Sequence, residues 1–136
     1  MAGGKGTEKL EEKTPEELIL VGEEYLAEGK YEEAIEVYKE IVRRDPLLTT
    51  LAKACNDCGV AYASLEQHDM AISFFNAALN HSEYLMDEGI SACYNLVRTY
   101  QITGDDEKAQ QYIKRAELIE KEIKSRDEKA HRIMST

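Results

Sequence analysis

Three observations predict an all-α fold. The sequence has only two prolines and no tryptophan, and it is rich in Glu, Ala, Leu and Lys, residues that lose little side-chain entropy in a helix. A spacing of small and apolar residues recurs three times at a helical period. Capping residues and glycines bracket the copies where helices would begin and end.

The elements follow in chain order. Thr14-Pro15-Glu16-Glu17 has a capping hydroxyl, a proline whose missing donor costs nothing in the first turn, and a carboxylate able to return the cap. It starts a helix over 15–28, which Gly29 closes by supplying the left-handed conformation. Further helices are expected over 31–44, 46–65, 68–80, 83–102 and 106–125. Asp45-Pro46 and Ser82-Glu83 read as starts of the Thr14 type, and Gly104 as a second closing glycine.

The recurring pattern is Leu18-x2-Val21-Gly22-x2-Tyr25 followed by Ala34-x3-Tyr38 and Pro46; then Cys55-x2-Cys58-Gly59-x2-Tyr62 followed by Ala71-x3-Phe75; then Cys93-x2-Leu96-Val97-x2-Tyr100 followed by Ala109-x3-Ile113. In each copy the residue at the Gly22, Gly59 or Val97 position stands twelve places before the alanine. This pattern resembles the tetratricopeptide repeat, over roughly residues 15 to 121. Val97 replaces the usual small residue in the third copy, and Glu83 and Lys121 stand where a proline would be. The resemblance implies a right-handed α-solenoid of three helix-turn-helix repeats (about 15–48, 49–85 and 86–121) ending in an extended C-terminal capping helix.

Successive copies lie 37 and 38 residues apart, Gly22 to Gly59 and Gly59 to Val97, against a norm of about 34. The excess is about one helical turn. The spacing inside each copy is fixed, so the extra turn belongs ahead of the second and third first-helices, around Leu47 to Leu51 and Leu85 to Gly89. The repeat domain is then 14–125. Residues 1–13, Gly-rich and then charged without an apolar face, form a disordered segment, and 126–136 a frayed tail starting about Asp127.

Charge narrows the partners. Seventeen Lys and Arg against 27 Asp and Glu give a net charge of −10, which opposes contact with polyphosphate backbones and anionic headgroups. Nucleic acid and membrane are therefore not expected as partners. With no apolar run of membrane-spanning length, no signal-peptide stretch and an odd cysteine count, the expected location is the cytoplasm.

Cys55-x2-Cys58 could signal a redox pair or half a zinc site. The repeat instead places both, with Cys93, in the aromatic and leucine slots of buried faces, where cysteine packs as a small hydrophobe. A redox pair needs an electropositive helix start, whereas Asp57 lies beside this one. Zinc would need a fourth ligand, and His68 and His81 are expected to face solvent. "GGKGT" lacks the spacing of a phosphate loop. The pairs Glu11-Glu12, Glu16-Glu17 and Glu32-Glu33 are helix neighbours that do not face each other. No enzyme activity, cofactor or metal is expected.

What the resemblance implies instead is a protein or peptide partner in a groove lined by first helices. The groove should show Glu16, Ile19, Leu20 and Glu23, then Lys53, Asn56, Asp57 and Val60, then Ser91, Tyr94, Asn95 and Arg98. The peptide-binding set is Ile19, Leu20, Glu23, Lys53, Asn56, Val60, Tyr94, Asn95 and Arg98. Lys53 and Arg98 are the only Lys or Arg between Leu47 and Thr103, which suggests an acidic segment, extended across the second and third repeats, with Asn56 and Asn95 bonding its backbone. Tyr94 is off the repeat signature and so free for contact. Ile19 and Glu23 stand where carboxylate-gripping members carry lysine and asparagine, which disfavours a chaperone-tail adaptor. The expected function is a non-catalytic adaptor or assembly factor that binds an extended or helical protein segment in its concave groove. The alternatives are a self-associating scaffold and a dedicated chaperone resembling the acidic three-repeat chaperones of type III secretion.

Overall fold

The computed structural model describes residues 10–81 and 87–135. They form six helices: α1 (Pro15–Ala27), α2 (Tyr31–Arg43), α3 (Leu48–Ser64), α4 (His68–His81), α5 (Asp87–Thr103) and α6 (Asp106–Ser135). Each packs on its successor, giving the antiparallel pairs α1–α2, α3–α4 and α5–α6 and the joins α2–α3 and α4–α5. First helices also touch the next first helix, α1 with α3 and α3 with α5. The second helices do not pack on one another to that extent among the described residues, so the stack closes up on the side of α1, α3 and α5. One apolar core runs through all six helices, from Leu18 and Tyr38 through Cys58 and Phe75 to Leu96 and Ala116.

The glycines of the repeat mark the closest crossings. A methyl group on Gly22 would stand 2.6 Å from Cζ of Tyr38, and one on Gly59 2.5 Å from Cε1 of Phe75. In both pairs the aromatic ring four residues after the alanine lies where the glycine leaves room. Tyr38 and Phe75 are accordingly among the largest fully buried side chains. The third pair carries Val97 and Ile113 at these two positions: bulk is shifted from the second helix to the first.

Each first helix ends in the same way. The amide of Lys30 bonds the carbonyl of Tyr25 at 2.9 Å, Gln67 that of Tyr62 at 2.9 Å, and Asp105 that of Tyr100 at 2.8 Å. The residue between is left-handed: Gly29 (φ 72°), Glu66 (φ 61°) and Gly104 (φ 86°). This shared motif holds the first-to-second-helix spacing constant. Glycine occupies it twice, as expected; the second repeat uses a glutamate.

Differences between sequence expectation and structure lie at the ends of elements. Thr14 and Glu17 form the expected capping box. Asp45 does not cap a helix: at φ 51° it terminates α2 in the left-handed region, which aspartate tolerates, and Pro46 prevents continuation. Helix α3 begins two residues later, at Leu48. The extra turn is present, since α3 and α5 have 17 residues against 13 in α1. The Ser82-Glu83 start and Leu85 lie outside the described residues, as do residues 1–9.

Leu10 packs against the core, and Arg44 donates to the carbonyls of Lys13 (2.5 Å) and Leu10 (2.7 Å). Residues 10–13 are therefore tied back onto the end of α2, although the sequence reading leaves them in the disordered segment. Helix α6 continues to Ser135, past Asp127 where fraying was expected. Its last turns contain no glycine or proline, and Glu122 pairs with Arg126 one turn on.

Two predictions follow from these contacts. Gly59→Leu should unfold the protein or nearly so, because overpacking costs about 1–3 kcal/mol or more against roughly 5–15 in total. Gly59→Ala should lower the melting temperature by several degrees, and Phe75→Leu added to it should restore part of the loss. An unchanged melting temperature for Gly59→Leu would mean that the helices pair differently. Glu66→Gly should raise stability by up to about 1 kcal/mol in a denaturant titration, since the left-handed penalty is removed; a loss would mean that Glu66 is held by its side chain.

Candidate protein-binding face

The face formed by α1, α3 and α5 is where the expected site residues fall, and it divides into regions of different chemistry. At its centre Asn56, only 5% exposed, donates to Ser91 Oγ (2.9 Å) and accepts from Asn95 Nδ2 (2.9 Å). Thr99, buried, donates to the carbonyl of Asn95. Helices α3 and α5 are thus joined by an amide clamp. Asn56 is not available to an incoming backbone as the sequence reading has it: the α5 packing that places it on the shared face also covers it.

Lys53 is not a free base either. Its Nζ lies 3.1 Å from Glu23 and 3.2 Å from Asp57, and Asp57 also accepts from the Tyr38 hydroxyl at 3.4 Å. Burial opposes the Lys53 ammonium, but Asp57 and Glu23 outweigh it and hold its pKa above the ordinary value. Burial likewise pushes the Asp57 carboxyl up, against the pull of Lys53 and of the tyrosine hydroxyl. The Tyr38 phenol is driven up by burial first and by Asp57 next. This group ties α1, α2 and α3 together, with Thr50 of α3 donating to Glu16 of α1 at 3.0 Å.

Two depressions flank the clamp. At the α3 and α5 carboxyl ends, one of about 200 Å³ is lined by Val60, Ala63, Asn95, Arg98 and Ile102. At their amino ends, a cavity of about 390 Å³ is lined by Glu16, Ile19, Thr50, Lys53, Asp87 and Glu88. Lys53 and Arg98 therefore sit at opposite ends, in different depressions. Ile19 is buried, whereas Leu20 is two-thirds exposed and lines neither depression. Tyr94 turns to the last pair, donating to Glu120 of α6 at 2.9 Å. The sequence reading placed Asp87 and Glu88 in the early turn of α5 but not among the groove residues, although both line the depression at the amino ends.

The cysteines belong to the core. Cys55, Cys58 and Cys93 are free thiols and buried. Burial pushes the Cys55 thiol up to about 11 and, with the charge of Cys55 added, Cys58 up to about 12. Cys93 is raised for the same reason. His68 and His81 are half-buried rather than solvent-facing. The Nδ1 of His68 is shielded without a hydrogen-bond partner among the described residues. No three His, Cys, Asp or Glu converge to hold a metal ion among those residues.

Stacked helix pairs, glycine crossings under aromatic rings and a shared first-helix face define a helical-repeat interaction fold. The tetratricopeptide repeat pattern matches residues 18–46, 52–80 and 90–122, and the chain belongs to that family. No curated protein matches the chain.

Thiol chemistry tests the placement of the cysteines. At pH 8 a thiol of pKa about 11 is roughly 0.1% thiolate and one of about 12 roughly 0.01%. A disulfide dye reagent should therefore react very slowly with the folded protein. It should titrate three thiols per chain once denaturant returns them to about 8.5. Fast native reaction of Cys55 and Cys58 would mean that this helix face is solvated.

Proposed function

We propose that the protein is a non-catalytic adaptor or assembly factor of the cytoplasm that holds a segment of a partner protein against α1, α3 and α5, with α6 as the cap of a solenoid. Tetratricopeptide repeats generally mediate protein–protein contacts, which supports the class. The observation that carries the reading is the placement of depressions: those between first helices combine apolar side chains such as Ile19, Val60 and Ile102 with charged rims. Apolar anchors would supply affinity there, and charges orientation. The buried, high-pKa thiols argue against nucleophilic catalysis.

Photo-crosslinking tests this. A photoreactive amino acid placed singly at Thr49 or Ile102, both exposed on first helices and each lining one of the two depressions, should give adducts in extract from the source cells. The same group at Glu36 or Lys114, exposed on second helices, should give few. Adducts confined to the second-helix positions would overturn the reading. Molar mass over a concentration series separates the self-associating alternative, for which it should rise with concentration; a partner-binding monomer should show constant mass.

A further inference from the structure

The 390 Å³ cavity between α1, α3 and α5 has Asp87 as one of its walls. A second cavity, of about 450 Å³, begins at that residue and runs between α5 and α6, with Ile90 and Ile123 among its walls. Asp87 lines both, so the two adjoin at the amino end of α5, as halves of a trough divided at that residue. Among the described residues its apolar walls are Ile90 and Ile123, with the largely buried Ile19 contributing a small part. Its far wall is Ile123 to Glu128 of α6, in the part of that helix that exceeds the other second helices: α6 has 30 residues, α2 13 and α4 14.

The charge along this trough is one-sided. Glu16 and Glu88 line the first cavity, Glu120, Asp127 and Glu128 the second, and Asp87 both, against Lys53 and Lys124. Lys53 is already neutralised by Glu23 and Asp57. Burial chiefly raises the Glu88 carboxyl, Lys53 pulls it down, and the repulsion of Asp57 and Asp87 adds to the rise. An acidic occupant would add to this repulsion, while long cationic side chains could lay their methylenes on the isoleucines and their charges at the rim.

Resting on the groove reading above, we propose that the occupant of this trough is a basic protein segment, arginine- or lysine-rich with apolar residues interspersed, bound across the amino ends of α3 and α5 and along the extension of α6. This replaces the acidic segment expected from Lys53 and Arg98 alone. Exposed ion pairs contribute little singly, so both the apolar and the cationic side chains of the segment are required.

The test is fluorescence anisotropy of the full chain with three labelled peptides of equal length: one repeating arginine, leucine and serine, one with glutamate for arginine, and one with serine for leucine. The first should bind at least tenfold more tightly than either of the others and weaken as salt is raised. Asp87→Lys with Asp127→Lys, both exposed sites, should keep its helicity and bind that peptide at least tenfold more weakly; Glu16→Gln with Glu128→Gln should weaken it less. Arg98→Glu, at the opposite depression, should leave it unchanged. Tighter binding of the glutamate peptide, full affinity in the charge-reversed variant, or no binding of the basic peptide would each overturn the proposal. If crosslinks still map to Thr49 and Ile102, the groove reading survives that failure; if they map to the second helices, both fall.

Discussion

The seating of an aromatic ring over a glycine sets the distance between the two helices of a pair, and most of the structure depends on that distance. Tyr38 over Gly22 and Phe75 over Gly59 leave no room for a single added carbon. Only at that separation can Ala34 and Ala71 be fully buried. The ring in turn fixes what surrounds it. Tyr38 carries a hydroxyl into the helix crossing, and that hydroxyl needs a partner, which Asp57 of the next pair supplies. The same close approach that packs α1 on α2 thereby also sets where α3 sits.

Polar groups on the inner face are committed in the same chain of dependence. Burying the Asp57 carboxylate is costly unless it is paired, so Lys53 is drawn to it and to Glu23. Asn56 is next in sequence and covered by α5, and its amide is satisfied by Ser91 and Asn95. The face therefore has a middle closed by side chains engaged with one another and an open depression at either end, whose walls include some of the same engaged groups, Lys53 at one and Asn95 at the other.

This division explains which parts of the molecule were legible in the sequence. Helical periodicity and the threefold register identify the helices, the glycine crossings and the buried cysteines, because each repeat states the same packing problem. The extra turn in α3 and α5 follows from spacing alone. A period tells which side of a helix Asn56 and Lys53 lie on, but not that α5 covers one and Glu23 neutralises the other, since those partners lie 35 to 39 and 30 positions away. Asp45 misleads for a related reason: before proline, an aspartate serves a helix start or a left-handed helix end, and only backbone geometry separates them. Glu66 was unreadable because nothing in glutamate signals a left-handed site.

The long last helix is the remaining departure from a repeat, and energetics bear on its role. Packing against α5 takes an apolar stripe only about as long as that helix, and Ala109, Tyr112, Ala116 and Ile119 provide it. Beyond it nearly every residue is exposed, so the final turns gain almost nothing from burial and rest on intrinsic propensity and local pairs such as Glu122–Arg126. Packing of the three pairs does not require them. What they do add is the wall that turns the shallow edge of α5 into a cavity, and acidic side chains at the height of Asp87. A segment whose structural return is this small and whose effect on surface shape is this large is better accounted for by what it faces than by what it supports.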